Sequence, residues 1–251
     1  MCIRDRCEAR AERMGGWTTA RHTNYPTTDV PIQELPDTLE WFREKALPET
    51  LYPFLANAYG RRAGVAPSRV LQRKLPRFVV ILAINTRVRR THMVQTFART
   101  KRRERLTFLL PPSSRFALPN AKNLRVVDGF VVKYNATAGQ SFLKPHRDGS
   151  VVSFNIALNG LDEYEGGGTW IARLDDSADM SAGNVRSDRG HVLAHASGML
   201  HGGHHITSGV RYILVCFVIL KEYANFAVRF YERVRDLDPE HLEPMPALIE
   251  T

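Results

Sequence analysis

The sequence predicts a mainly β protein with flanking helices, built around an antiparallel double sheet closed like a jelly roll. Three observations predict it. From residue 124 onward the chain breaks into short apolar runs of strand length, at 124–134, 151–158, 169–174, 191–195 and 211–220. Glycine-rich turns separate these runs, chiefly Gly166-Gly167-Gly168, Gly202-Gly203 and Gly209. Helix-period patterns occur only before residue 60 and after residue 222, so no crossover helices are available to build a parallel sheet.

In chain order, residues 1–28 are polar and aperiodic and read as an unstructured tail. Residues 29–60 form a helical segment packing on the core. Pro36-Asp37-Thr38 starts it, and Leu39, Phe42, Ala46 and Leu47 stand near 3.6-residue spacing. Pro48 should interrupt this helix, and Leu51, Phe54, Leu55 and Ala58 resume the pattern.

Residues 61–120 form a basic insert, read as disordered, although residues 78–84 (FVVILAI) could make a buried strand. The barrel domain follows over 121–222, with Gly129 as a candidate bulge in its first strand. Residues 223–251 close the chain as a helix and tail, with Phe226, Phe230 and Val234 at i, i+4 and i+8.

Charge is distributed unevenly. The formal net charge is +9, but residues 60–105 hold fourteen Lys and Arg against one acid, Glu104. That segment alone carries +13, so the rest of the chain is net negative at −4. Basicity confined to one insert, with little aromatic interleaving for base stacking, argues against nucleic acid as the partner of the barrel. No run of about 18 apolar residues occurs, so no membrane span is expected. Three cysteines make no disulfide framework, and the first residues lack the apolar centre of a secretory signal. Both favour an intracellular, cytoplasmic location.

The chemistry concentrates in 131–220. His146-Arg147-Asp148, followed after a β-rich interval by His201, spells a 2-His-1-carboxylate facial triad, a set that holds Fe(II) and leaves three positions open. His191, His195, His204 and His205 compete with His201 as third ligand. His201 stands ten residues before Arg211, against seven and six for His204 and His205. His191 and His195, in a strand before the motif, read instead as a turn or pocket-wall pair. Arg211 on the following strand can grip a carboxylate with two parallel hydrogen bonds. Tyr134 on an earlier strand, and Asn155, inward with Ser153 and Ala157 by alternation, are candidates to line the same pocket.

These pieces carry a resemblance. Pro145-His-Arg-Asp148, residues 153–159 (SFNIALN), Tyr164-Glu-Gly-Gly-Gly-Thr169 and His201-Gly-Gly with Gly209-Val-Arg-Tyr212 resemble the Fe(II)/2-oxoglutarate-dependent dioxygenases, in the prolyl 4-hydroxylase and lysyl hydroxylase branch. The resemblance implies a double-stranded β-helix core and an iron site at His146, Asp148 and His201. It also implies 2-oxoglutarate as small-molecule cosubstrate, with O₂ and ascorbate. The prime substrate would be a protein or small molecule, such as a peptidyl proline or lysine. One departure is that His205, where this branch commonly has Pro, precedes Ile206. Two rival readings remain: a cupin-like metal binder without redox turnover, and a nucleic-acid-associated protein acting through the basic insert.

Overall fold

Two mainly antiparallel sheets face each other, and the longest strands, Leu124–Asn135 and Ile206–Leu220, grow from two of the apolar runs in the sequence. The computed structural model describes residues 2–22, 24–59, 80–83, 121–172 and 184–221. The closing helix expected after residue 222, and most of the basic insert, lie outside them.

The chain opens with α1 (Ile3–Arg13), so residues 1–28 are not an unstructured tail. Its apolar face is only Ile3, Cys7 and Ala11, but Cys7 and Ala11 are buried. Polar contacts fix the rest. Glu8 accepts from Trp17 Nε1 at 2.9 Å, from Lys133 Nζ at 2.8 Å and from the Tyr212 hydroxyl. Arg4 donates to Glu163 at 2.6 Å and Arg10 pairs with Glu34 at 3.0 Å. Partners so distant in sequence explain why local pattern gave no sign of this helix.

Next come β1 (Asp29–Pro31) and α2 (Pro36–Trp41). The chain then continues through a π-helical stretch, Phe42–Leu51, into α3 (Tyr52–Tyr59). Pro48 therefore does not end the helix. The wider turn, with Tyr52 N donating to Leu47 O five residues back, lets the chain pass a residue that has no N–H to give. Phe42, Leu47, Leu51, Phe54 and Leu55 pack with Leu124, Val131, Phe154, Leu214 and Cys216 in one cluster, which covers one face of the larger sheet.

Inside the basic insert, residues 80–83 are not disordered: they form β2 (Val80–Ala83), parallel to a later strand. The barrel strands follow as β3 (Leu124–Asn135), β4 (Leu143–His146), β5 (Val152–Ala157), β6 (Tyr164–Gly166), β7 (Thr169–Ile171), β8 (Asn184–Val185), β9 (Val192–Ala196), β10 (His201–Gly203) and β11 (Ile206–Leu220). The larger sheet runs β1-β3-β11-β5-β9-β2, with β6 also on β11, and the smaller runs β4-β10-β7-β8. Apart from β2 on β9, all pairings are antiparallel, which is the double-stranded β-helix arrangement. The bulge in β3 is at Val127 rather than Gly129: Phe217 pairs with Asp128 and Val218 with Val126, while Gly129 pairs normally with Cys216.

β11 is the centre of the larger sheet, and its continuous apolar run reflects burial on both faces. Tyr212, Leu214, Cys216 and Val218 join the helical side. Ile213, Val215 and Phe217 turn the other way, into the cavity between the sheets.

Candidate metal centre

The register of the smaller sheet sets His201 of β10 directly opposite His146 of β4. Facing residues on antiparallel neighbours put their side chains on one side, and the two rings stand 4.4 Å apart between centroids. Asp148 lies two residues past the end of β4, so strand alternation does not place it. Its backbone N–H donates to Ser197 O at 3.0 Å, and Ser153 of β5 donates its hydroxyl to Asp148 Oδ2. The larger sheet thus holds the carboxylate that the smaller sheet's two histidines face. Ser150 and Ser197 extend this hydroxyl cluster, at 2.5 Å from each other and 3.1 and 3.0 Å from Ser153.

His146, Asp148 and His201 offer ligand atoms that all lie within 4.8 Å of one another. Proton placement tests whether they suit a cation. His146 Nδ1 stands 2.9 Å from Lys144 O and His201 Nδ1 2.9 Å from Met199 O. A carbonyl only accepts, so each Nδ1 donates and, in the neutral ring, each Nε2 presents a lone pair. Those two Nε2 atoms each stand 3.4 Å from an oxygen of Asp148, longer than a charge-assisted hydrogen bond. Three electron-rich atoms converging without a proton between them fit a divalent metal. One carboxylate with two imidazoles and room for further ligands fits Fe(II).

Electrostatics agree with that readiness. Burial pushes the Asp148 carboxyl up, but the neighbouring His146 and His201 imidazoles and the hydrogen bond from Ser153 outweigh it and hold it below the usual carboxylate range. Burial, reinforced by His195, pushes the His201 imidazole down to about 3, so it stays neutral and able to ligate at neutral pH.

A cavity of about 280 Å³ opens from this trio between the sheets. Tyr134, Asn155, Thr169 and His195 line it, together with Phe130, Val215 and Phe217. His195 packs its ring 4.2 Å from that of His201. His191 sits instead in a turn, its Nδ1 accepting from Asp188 N at 3.2 Å. His204 and His205 stand outside the cavity, and His205 stacks on the exposed ring of Phe142.

Arg211 is buried but does not itself line the cavity. It donates to Gly168 O at 3.1 Å and Thr169 Oγ1 at 3.3 Å, and lies over the Tyr134 ring at 5.4 Å, so two wall residues connect it to the space. Asn155 Nδ2 reaches Thr169 Oγ1 at 3.5 Å, and Asn155 Oδ1 is buried without a partner among the described residues.

Glycines close the ligand strand against its neighbours. A Cβ at Gly202 would meet Leu143 O at 2.7 Å, and one at Gly203 would meet the Tyr134 hydroxyl at 2.7 Å. Sequence reasoning missed Ser150 and Ser197 as supports of Asp148, and treated Ser153 only as inward-facing. It also missed His22, Asn24, Tyr25 and Thr27, which form part of the cavity wall. Ser153 was accessible through alternation on β5. The other wall residues sit in an aperiodic stretch that carries no such signal.

Fold and side chains together define a jelly roll with a candidate metal site of two histidines and one carboxylate. More particularly, the chain is similar to procollagen lysine hydroxylases. It is 41% identical over 99 residues to the multifunctional procollagen lysine hydroxylase and glycosyltransferase LH3 of Rattus norvegicus, covering 38% of this chain and 12% of that protein. It is 34% identical over 97 residues to the procollagen-lysine,2-oxoglutarate 5-dioxygenase of Drosophila melanogaster, again 38% of this chain and 12% of the relative. The chain therefore spans about an eighth of the length of the curated relatives it matches. No family model matches it. Among solved structures, a non-heme monooxygenase (ThoJ–Ni complex) is 21% identical at a TM-score of 0.34, over 41% of this chain and 47% of its own. That likeness adds nothing to the sequence match.

Proposed function

We propose that this protein is an Fe(II)- and 2-oxoglutarate-dependent hydroxylase. The observation that carries the proposal is the pairing of a proton-free His146–Asp148–His201 donor set with a buried cation, Arg211, beside the same cavity. Iron held by that trio would supply oxidative decarboxylation of 2-oxoglutarate by O₂, one oxygen atom going into succinate as CO₂ leaves and the other into the hydroxyl of the prime substrate. His146, Asp148 and His201 hold the metal, and Ser153 keeps the carboxylate in place. Arg211 binds the far carboxylate of 2-oxoglutarate, with Thr169 and Tyr134 beside it and Asn155 offering a further polar contact.

The prime substrate we propose, by likeness to the relatives, is a peptidyl lysine or proline, with ascorbate as accessory reductant. Arg211 favours this reading over a redox-silent metal binder, since its guanidinium is 2% exposed and the partners it meets among the described residues, Gly168 O, Thr169 Oγ1 and the Tyr134 ring, are all neutral.

A succinate-release assay of the purified chain with Fe(II) and 2-oxoglutarate, run against a panel of peptides and free amino acids, tests the reading. Iron-dependent succinate is expected, and none from His146→Ala or Asp148→Ala, which should also fail to retain iron. Stoichiometric iron in both variants would place the metal elsewhere, and absence of iron-dependent succinate from the wild type would end the hydroxylase reading.

A further inference from the structure

Residues 21–22 and 24–27 run along the metal cavity and are fixed at both ends. At one end Arg21 donates through Nη1 to Asp29 Oδ1 at 2.8 Å and through Nη2 to both oxygens of Asp128 at 3.0 Å. Both carboxylates are buried, and the guanidinium lies over the Phe130 ring at 5.0 Å. At the other end Gln140 accepts from Thr28 N at 2.7 Å and donates to Pro26 O at 2.8 Å. A segment with so many restraints behaves as part of the cavity wall.

Tyr25 lies between the anchors. Its ring is 4.9 Å from that of the candidate ligand His146, tilted by 32°. Lys144 Nζ sits over it at 5.1 Å, and the residue is 37% exposed, so it borders both the cavity and solvent. No hydrogen bond of its hydroxyl occurs among the described residues, so the contribution of Tyr25 is its ring. The same cavity holds an edge-to-face pair, Phe130 and Phe217, at 5.6 Å. Aromatic faces lining a space beside a metal suit an aliphatic chain, which gains burial there without needing a polar partner.

We propose that Tyr25 is a specificity-determining residue: its ring forms the outer wall of the prime-substrate site, covers His146 from solvent, and takes the aliphatic stem of the substrate together with Phe130 and Phe217. This rests on the hydroxylase reading, and two experiments separate the two claims. The first uses the full chain loaded with Co(II) and measures metal release to EDTA in wild type, Tyr25→Phe and Tyr25→Ala. Tyr25→Ala should release Co(II) roughly tenfold faster, the scale of one aromatic contact, and Tyr25→Phe within about twofold of wild type. The visible Co(II) spectrum should be the same in all three.

The second uses the best peptide of the panel. Its KM should rise about tenfold in Tyr25→Ala with the KM for 2-oxoglutarate little moved, and Tyr25→Phe should restore it. Wild-type Co(II) release from Tyr25→Ala overturns the proposal. So does a changed spectrum, which would make Tyr25 a prop for His146 instead of a wall. So does an unmoved peptide KM. If the wild type releases no succinate at all, the hydroxylase reading has failed, while the cobalt experiment still decides whether Tyr25 covers the metal.

Discussion

A carboxylate buried against two imidazoles needs a second holder, and for Asp148 that holder is Ser153. Outer-shell partners of this kind typically contribute about 10–100-fold in metal affinity, so Ser153→Ala should weaken Co(II) binding by that order in a titration, with the fold intact. At the other end of the cavity, breaking a buried charge-assisted pair costs on the order of 3–5 kcal/mol, because one charge is left without a partner. Arg211→Ala should therefore raise the apparent KM for 2-oxoglutarate by roughly two to three powers of ten, at 1.4 kcal/mol per decade. Metal affinity should barely change, and Arg211→Lys should recover part of the loss, keeping the charge without the fork. An unchanged 2-oxoglutarate dependence in Arg211→Ala would remove the cosubstrate role. The spacing His146–Asp148, His201–Arg211 was legible because ligand chemistry restricts residue type and interval together. Ser150 and Ser197 were not, since a hydroxyl that supports a ligand is spelled no differently from one that faces water.

Among the elements, α1 docks in part through the Glu8 carboxylate, and its titration gives a pH test. Burial pushes Glu8 up, but Lys133, Tyr212 and Trp17 together outweigh it and hold its carboxyl below the ordinary value of 4.5. A depressed folded value means the docking contributes fully above pH 4.5 and is lost as pH falls through the folded value. Trp17 fluorescence should report α1 leaving the barrel on acidification below that point, and Glu8→Gln should abolish the acid-dependent step. The edge strand β2 makes a second test. Its backbone pairs with β9 from Val80↔Val192 to Ala83↔His195, so removing residues 61–120 uncovers the edge of β9. Such a variant is expected to aggregate in light scattering and to lose its cooperative melt, because an open sheet edge pairs with other chains. The sequence made this insert look dispensable since arginines crowd both flanks of an apolar run too short to show a period. It hid α1 for a related reason: three small apolar residues are a faint stripe, and the hydrogen bonds from Lys133 and Tyr212 that hold its Glu8 reach 125 and 204 positions along the chain. The five barrel runs were readable because alternation and glycine turns are local properties.

For the molecule as a whole, a metal held by this trio would tie the two sheets together, since His146 and His201 belong to one and Ser153, which holds Asp148, to the other. Ligand binding to the folded state alone stabilises by about 2.7 kcal/mol at a hundredfold excess over Kd. Anaerobic Fe(II) or Co(II) should therefore raise the melting temperature by roughly 5–10 °C at that excess, and leave Asp148→Ala unmoved. A melt indifferent to metal would separate the trio from the fold's stability. The same cross-sheet design has one further effect, which follows from β11. Arg211 stands near one end of that strand's inward row and Phe217 near the other, where its neighbour Ser153 grips Asp148. At about 3.3 Å per residue an extended strand sets that row at about 20 Å, and ladders to β3 and β5 on its two sides forbid it to shorten. β11 is in that sense a rigid spacer: it cannot contract to bring the guanidinium nearer the metal side of the cavity, so a 2-oxo acid without the far carboxylate should bind more weakly than 2-oxoglutarate, with no strand movement to compensate.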